Sequence, residues 1–338
     1  MNTLDRIKHW LILAACAVLL AGCASPVYKV TVVAGPGSAG LGINQHGHTV
    51  GYVDAGGGVQ HAFVNSGAGA TDLGTLGGTN SRAWGINANG QVVGQSEIPG
   101  GANRAFLHDG LAMTSLGTLG GNDSVAKAIN RDGTIVGSAR QADNEWRAFS
   151  YSNGAMANLG TLPSSGRFYS FGHAINDLGQ IGGSSSAGEY SAPEAPQHAF
   201  LRRTSGLMDD LGTFGGVYSE SFGINELGEV VGVAATAELL LDNAFLYAGG
   251  VLNDLGNLGG GYAQAFGINN RSQVVGTSGG ATPPRGFLVE KGTMVALDTL
   301  VGPGWTITDA RAINDDGQIA GTGCQAGTCY AVRLDRKK

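Results

Sequence analysis

Two polar segments carry the side-chain types that proteins most often use for recognition. Residues 140–146 supply Arg140, Glu145 and Trp146, and residues 185–197 supply Tyr190 and Glu194. Trp, Tyr and Arg dominate the binding energy of many interfaces, and aromatic rings also stack on the faces of sugars. These five residues are therefore predicted to contact a protein or a glycan.

Catalysis has less support in the sequence. No H-E-x-x-H motif is present. A glycosidase or polysaccharide lyase remains an alternative function, because two carboxylates from distant segments can meet in a fold. An assembly scaffold in the periplasm is a third possibility. Few charges and missing motifs favour binding over an enzyme.

Cofactors, metals and nucleic acids are not expected. Residues 35–40 match G-x-G-x-x-G, but the hairpin phrase GINQHGHTVG follows where a dinucleotide site requires a helix. His46 and His48 lack a third metal ligand nearby. The net charge is −6 and no Lys/Arg cluster forms a stripe, which argues against a nucleic-acid partner.

The elements that position these residues come from one phrase that recurs seven times. It contains Ile-Asn, a polar turn and an apolar strand, and successive copies are 43 to 49 residues apart. A fixed period in this range indicates one supersecondary unit copied many times. The asparagines at the centres of the copies are Asn44, Asn87, Asn130, Asn176, Asn225, Asn269 and Asn314.

Each period contains four strand-sized pieces, which we name A to D. In the second copy they are residues 82–87, 91–95, 104–108 and 113–119, and Asn89-Gly90 forms the A–B turn. Four short antiparallel strands per period are typical of a propeller blade. The loops between B and C, which include residues 140–146 and 185–197, are then expected to share one face.

The two ends of the chain divide one unit between them. A leucine fourteen residues before the next asparagine, as at Leu73 and Leu116, is predicted to begin strand D. Residues 28–33 form a lone strand D at the front, and the seventh unit stops after strand C. The sequence thus predicts an all-β, seven-bladed β-propeller over residues 28–338, a monomeric ring closed by pairing its N-terminal strand with the last blade. The alternative, a β-solenoid, has no reason to split a unit in this way.

The seven asparagines should ring one mouth of the channel. Amides in a ring could hold a polar ligand. Their position just before each A–B turn instead favours hydrogen bonds to the local backbone that shape the hairpin.

Short triplets in strand C identify a resemblance. His61-Ala62-Phe63 and His198-Ala199-Phe200 are HAF triplets, with variants such as Arg104-Ala105-Phe106, and LGTLGG or LGTFGG phrases accompany them. Over nearly all of the mature chain the sequence resembles the bacterial HAF-repeat extracellular proteins. The resemblance implies export and a repeat fold, and it carries no catalytic residues.

The N-terminus resembles a lipoprotein signal. Arg6 and Lys8 precede an apolar run over residues 11–21, too short to span a bilayer, which ends in Leu-Ala-Gly-Cys23. This resembles a bacterial lipobox and implies that residues 1–22 are a signal peptide, that Cys23 carries the lipid anchor, and that residues 23–27 are a short tether. Ala24 implies outer-membrane sorting in a Gram-negative cell envelope.

Two cysteines then remain for a disulfide. The lipobox resemblance implies that Cys16 leaves with the signal peptide and that Cys23 is lipidated. Cys324 and Cys329 flank a predicted hairpin loop in an exported protein, and this favours a local disulfide between them.

Overall fold

The computed structural model describes residues 27–165, 168–189, 196–238, 241–280 and 283–337. Over these ranges the protein is all-β, and the single helical segment is a 3-10 turn at Leu297–Thr299. None of the helical structure in these ranges is long or apolar enough to cross a membrane. The predicted signal peptide, Cys23 and the tether as far as residue 26 lie outside the described residues.

Most strands fall into seven antiparallel units of four. The first three units are β2 (Ala39–Ile43), β3 (Thr49–Gly56), β4 (Val59–Asn65), β5 (Ala70–Asp72); β6 (Ser81–Ile86), β7 (Val92–Glu97), β8 (Asn103–His108), β9 (Met113–Ser115); and β10 (Gly120–Ile129), β11 (Ile135–Gln141), β12 (Trp146–Ser152), β13 (Ala155–Asn158). The next three are β15 (Ser170–Ile175), β16 (Ile181–Ser186), β18 (Gln197–Arg202), β19 (Met208–Asp210); β20 (Gly215–Ile224), β21 (Val230–Thr236), β22 (Asp242–Ala248), β23 (Val251–Gly256); and β24 (Gly261–Ile268), β25 (Val274–Gly280), β26 (Arg285–Glu290), β27 (Thr293–Ala296). The last unit is β28 (Trp305–Ile313), β29 (Ile319–Gln325), β30 (Thr328–Arg336) and β1 (Tyr28–Pro36).

The seventh unit joins the two ends of the described chain. Its fourth strand is β1, which runs antiparallel to β30 from Tyr28 opposite Arg336 to Val32 opposite Val332. The predicted pairing of the N-terminal strand with the last unit is therefore confirmed. Tyr28 is 1% exposed, so this strand is part of the core.

The sheets remain open. Units 1, 2, 3 and 7 are separate four-stranded sheets, and units 4 to 6 are linked into one twelve-stranded sheet. The links are single parallel pairs, Gln197 with Tyr218 and Asp242 with Tyr262. A small parallel pair, β14 (Ser164–Ser165) with β17 (Gly188–Glu189), stands apart. None of the described sheets closes on itself as a barrel.

The phenylalanine of each HAF-like triplet fills the core of its unit. Phe63, Phe106, Phe149, Phe200, Phe245 and Phe287 are all fully buried. Glycine in strand B makes room for them: a Cβ on Gly94 would lie 2.8 Å from the Phe106 ring and 2.0 Å from the Arg82 carbonyl oxygen. The V-G phrase of strand B is thus explained by the close approach of strands A and C.

Strand limits differ from the sequence expectation in two ways. Strand D was expected to begin at leucines such as Leu73, but β5 ends at Asp72, where the Asp72 carboxylate accepts the Gly74 N–H and turns the chain. The B–C loops are also shorter than expected. Residues 140 and 146 face each other as a β pair, so the loop of unit 3 is only residues 142–145.

Candidate functional site: the central cavity

The seven repeat asparagines form one continuous hydrogen-bonded cycle. Each side-chain Nδ2 donates to the backbone carbonyl of the asparagine in the next unit at 3.0–3.3 Å, and Asn314 donates back to Asn44. We call this set the asparagine ring. Its members are 2–6% exposed. The cycle ties every unit to its neighbours.

The same asparagines also shape their own turns. In each unit Oδ1 accepts the backbone N–H four residues further on, as Asn44 does from His48 and Asn314 from Gln318. The expected structural role in the A–B hairpin is confirmed. The bond to the next unit was not anticipated from the sequence.

Three residues before each asparagine, the first strand contains a β-bulge. In unit 2 Ala83 pairs with Gly94 and Gly85 with Val93, so that Trp84 has no partner. The other six first strands skip the equivalent residue in the same way. A bulge bends a strand and re-aims the side chain that it carries.

The bulged residues line one central cavity, and we call them the bulge ring. They are Leu41, Trp84, Lys127, His173, Phe222, Phe266 and Arg311. With Glu220 they enclose about 320 Å³. The cavity continues along all seven first strands as a channel. Small residues and isoleucines line the channel between the bulge ring and the asparagine ring. The large side chains of the bulge ring therefore narrow the channel at their level.

Two cations of the bulge ring lie on aromatic faces. Lys127 Nζ is 3.6 Å from the centre of the Trp84 ring, and the Arg311 guanidinium is 3.9 Å from that of Phe266. Such contacts stabilise a cation, the more so where water is excluded. Burial nevertheless lowers the pKa of Lys127 from its ordinary value of 10.5, and it is the largest effect. Glu220 raises the pKa, Arg311 and Arg82 lower it, and the net value is about 8.

Glu220 is the carboxylate of the cavity wall, and its oxygens are occupied. Its Oε1 lies 2.7 Å from His173 Nε2, at ion-pair distance although the ring N–H is not aligned for a hydrogen bond. Its Oε2 accepts the Tyr218 hydroxyl at 2.5 Å. Burial raises the pKa of Glu220, but His173 and Tyr218 outweigh burial and the pKa ends below its usual value. An ionised, fully engaged carboxylate is unsuited to act as a general acid.

A line of aromatic rings connects the cavity to the B–C face. Trp146 lies 6.1 Å from Phe171, Phe171 6.4 Å from His173, and His173 5.6 Å from Phe222, all between ring centres. Phe222 continues the line to Phe266 at 5.3 Å. One predicted binding residue, Trp146, thus lies at the outer end of a path that leads into the cavity.

Of the other predicted binding residues, the structure describes Arg140 and Glu145. Arg140 pairs with Trp146 across the hairpin, with its guanidinium 4.8 Å from the centre of the Trp146 ring. Glu145 is exposed in the same turn. Tyr190 and Glu194 lie outside the described residues. The predicted disulfide between Cys324 and Cys329 is confirmed, directly across β29 and β30.

The remaining candidate motifs are structural. Residues 35–40 lead from β1 into β2 with no helix between them. Arg333 donates to the Gly47 carbonyl between His46 and His48, a poor neighbour for a metal cation. No group of three His, Cys, Asp or Glu side chains in the described ranges is placed to hold a metal ion. His61 and His198 contact Asp72 and Asp210 of the adjacent fourth strands.

Comparison with known proteins places the fold but not a family. No protein-family description and no curated protein sequence matches this chain. Among solved structures, the β-propeller domain of the trilobed protease from Pyrococcus furiosus superposes with a TM-score of 0.56 at 10% identity, over 92% of this chain and 94% of that one. A puromycin-hydrolysing peptidase from Mycobacterium tuberculosis matches with a TM-score of 0.54 at 12% identity, over 91% of this chain and 52% of that one.

A lectin from Burkholderia pseudomallei, BP39L, also matches, with a TM-score of 0.44 at 10% identity over 90% of this chain and 98% of that one. At these identities the likeness concerns the fold alone. The strand units, with the trilobed-protease propeller domain as a structural match, define the class as an all-β protein with a propeller-like fold.

Proposed function

We propose that this chain is an exported, lipid-anchored binding protein that takes a glycan on the B–C face of a closed, seven-bladed ring. The seven strand units are its blades, and Cys23 carries the anchor in the outer membrane of a Gram-negative cell. The cycle of the asparagine ring and the pairing of β1 with β30 support a closed ring. The lipobox-like residues before Cys23 support the anchor.

The observation that carries the binding function is the aromatic path from Trp146 into the cavity. Aromatic faces pack on the C–H faces of sugar rings while the hydroxyls keep polar partners. A concave cavity with converging polar groups suits a small unit of a ligand, whereas protein interfaces are typically broad surfaces. A glycan is therefore favoured over a protein partner.

The charge arrangement supports binding over hydrolysis. A glycosidase needs two carboxyl groups, one of them protonated near neutral pH. Glu220 is held ionised by His173 and Tyr218, so it does not meet the requirement for the acid.

A glycan array probed with the detergent-solubilised full-length protein tests this function. The parent should retain a defined set of glycans, and Trp146→Ala should weaken their binding by about tenfold, since a buried aromatic anchor contributes at least ~1.4 kcal/mol. The matched control is Leu111→Ala. Leu111 is 92% exposed in the C–D turn of unit 2, on the opposite face.

Two results would count against the proposal. One is a parent protein that retains no glycan but captures a protein partner. The other is binding that survives Trp146→Ala and is lost in Leu111→Ala, which would move the site to the face of the A–B turns.

A further inference from the structure

The cavity holds a cation without a counter-ion. Lys127 Nζ lies over Trp84, and none of the described carboxylates is within ion-pair distance of it. Glu220, the carboxylate of the same wall, is already bound by His173 and Tyr218. A charge placed in a partly desolvated cavity costs free energy unless something compensates it.

Arg311 adds a second set of donors. Its Nε bonds to Asp309 Oδ2 at 2.5 Å, and its guanidinium covers Phe266. Asp309 also accepts the Thr277 hydroxyl, so this carboxylate holds Arg311 in place. The terminal nitrogens of Arg311 have no hydrogen-bond partner among the residues that the structure describes. They remain available to a ligand that reaches the cavity.

We propose that the cavity recognises a carboxylated sugar, with the carboxylate bound by Lys127 and Arg311 and the sugar ring packed against the aromatic members of the bulge ring. This rests on the proposed glycan-binding function and specifies the class of sugar. The anion supplies the missing counter-charge of Lys127. Phe222 supplies an apolar ring at the same level of the channel, beside the cation-covered rings of Trp84 and Phe266.

The size of the cavity agrees with one sugar unit. At about 320 Å³ it lies at the lower end of the usual range for small-ligand pockets. A polymer would therefore enter by one residue, and the rest of the chain would follow the aromatic path toward Trp146.

The charged groups around Lys127 give the binding a pH dependence. They are His173 and Glu220 from the first strands of units 4 and 5, Arg82 from the preceding unit and Arg311 from across the ring. The pKa of Lys127 is about 8 because of burial. Carboxylate binding is expected to weaken as the pH rises from 7 to 9 and Lys127 loses its charge.

Calorimetric titration of the detergent-solubilised full-length protein with glucuronic acid and with glucose tests the inference. The parent should bind glucuronic acid about tenfold more tightly than glucose at pH 7. Lys127→Met should reduce this preference several-fold, since only Arg311 then remains for the carboxylate, and Lys127→Arg should keep the preference and remove its decline between pH 7 and 9. Lys291→Met, an exposed lysine in the C–D turn of unit 6, is the matched control and should retain the preference.

The outcomes separate the two proposals. Equal binding of both sugars by the parent, or a preference that is undiminished in Lys127→Met, overturns the carboxylate assignment and leaves glycan binding intact. Tighter binding of a Glu-rich peptide than of glucuronic acid also overturns it. If the parent binds no glycan at all, both proposals fail together.

Discussion

The side-chain amide of Asn314 donates a hydrogen bond to the backbone carbonyl of Asn44 at 3.0 Å, across 270 residues of sequence. The same bond joins every other pair of neighbouring units at shorter separations. The first and last units are therefore joined by the interaction that joins all the rest. Substitution of an asparagine in the ring therefore tests how much these bonds between units contribute to stability.

Replacing Asn314 by alanine should destabilise the fold. The change removes the donor to the Asn44 carbonyl, which is buried, and the acceptor of the Gln318 N–H, which is part-buried. A buried polar group left unpaired costs about 1–3 kcal/mol. Urea unfolding followed by circular dichroism measures the loss. Asn122→Ala, at an exposed position of β10, serves as the control. An Asn314→Ala protein as stable as that control would contradict the role given to the ring.

Deleting residues 28–33 should expose the edge of β30. These residues pair with β30 over most of β1, and without them its backbone N–H and C=O groups lose their partners. Exposed strand edges pair with other chains, so we expect either association or loss of cooperative unfolding. Size-exclusion chromatography and a thermal melt read out the two effects. A monomer with the parental melting temperature would show that β1 is dispensable.

The free energy of unfolding should increase as the pH rises above 8, because Lys127 then loses its buried charge. Burial lowers the pKa of this lysine from 10.5 to about 8 in the folded state, so between these values the unfolded chain binds more protons. Stability then increases with pH, by at most about 1.4 kcal/mol per pH unit for one group. The rise should be absent from Lys127→Met when both proteins are unfolded in urea at pH 8 and pH 9.5. Equal slopes in the two proteins would refute the assigned pKa.

Loss of the disulfide should cost a modest amount of stability. Cys324 and Cys329 close a very short loop. In the chain-entropy model such a loop contributes only ~2 kcal/mol. A Cys324→Ser/Cys329→Ser protein should unfold at lower urea concentration by that amount, and a reducing agent should have no further effect on it. Mass spectrometry that finds two free thiols in the exported parent would be incompatible with this role.

Cys23→Ser should prevent lipidation. Serine cannot form the thioether to diacylglycerol, so the precursor should keep its signal sequence or appear outside the membrane fraction. Detergent partitioning and intact-mass measurement detect both results. A variant that matures and partitions like the parent would remove the basis of the lipoprotein proposal.

The sequence predicts the repeating architecture well because its period and its turns are local signals. The seven Ile-Asn phrases gave the number of strand units, and the N-terminal strand out of phase with them gave the pairing of β1 with β30. The cysteine pair was also readable, since both residues flank one short hairpin. Each of these depends on residues that are near neighbours in the chain or in the repeat.

The central cavity was not predicted, and the reason is the β-bulge. A strand with regular alternation would give Trp84 the same environment as other residues of its face, but the extra residue in the register turns it toward the channel. Bulges leave little trace in a period-two pattern. One signal was present: the position three before each asparagine is the large, variable one between small neighbours, with Leu, Trp, Lys, His, Phe and Arg all represented.

The direction of β1 has a consequence for how the molecule would stand on a membrane. Tyr28 lies opposite Arg336 at the side of the A–B turns, where Arg333 reaches the Gly47 carbonyl, while the far end of β1 meets the Cys329 hairpin. A lipid on Cys23 would be separated from Tyr28 by a tether of at most ~18 Å. The acyl chains would therefore hold the ring with its asparagine side toward the bilayer. The mouth of the channel near Trp146 would then face away from the lipid surface.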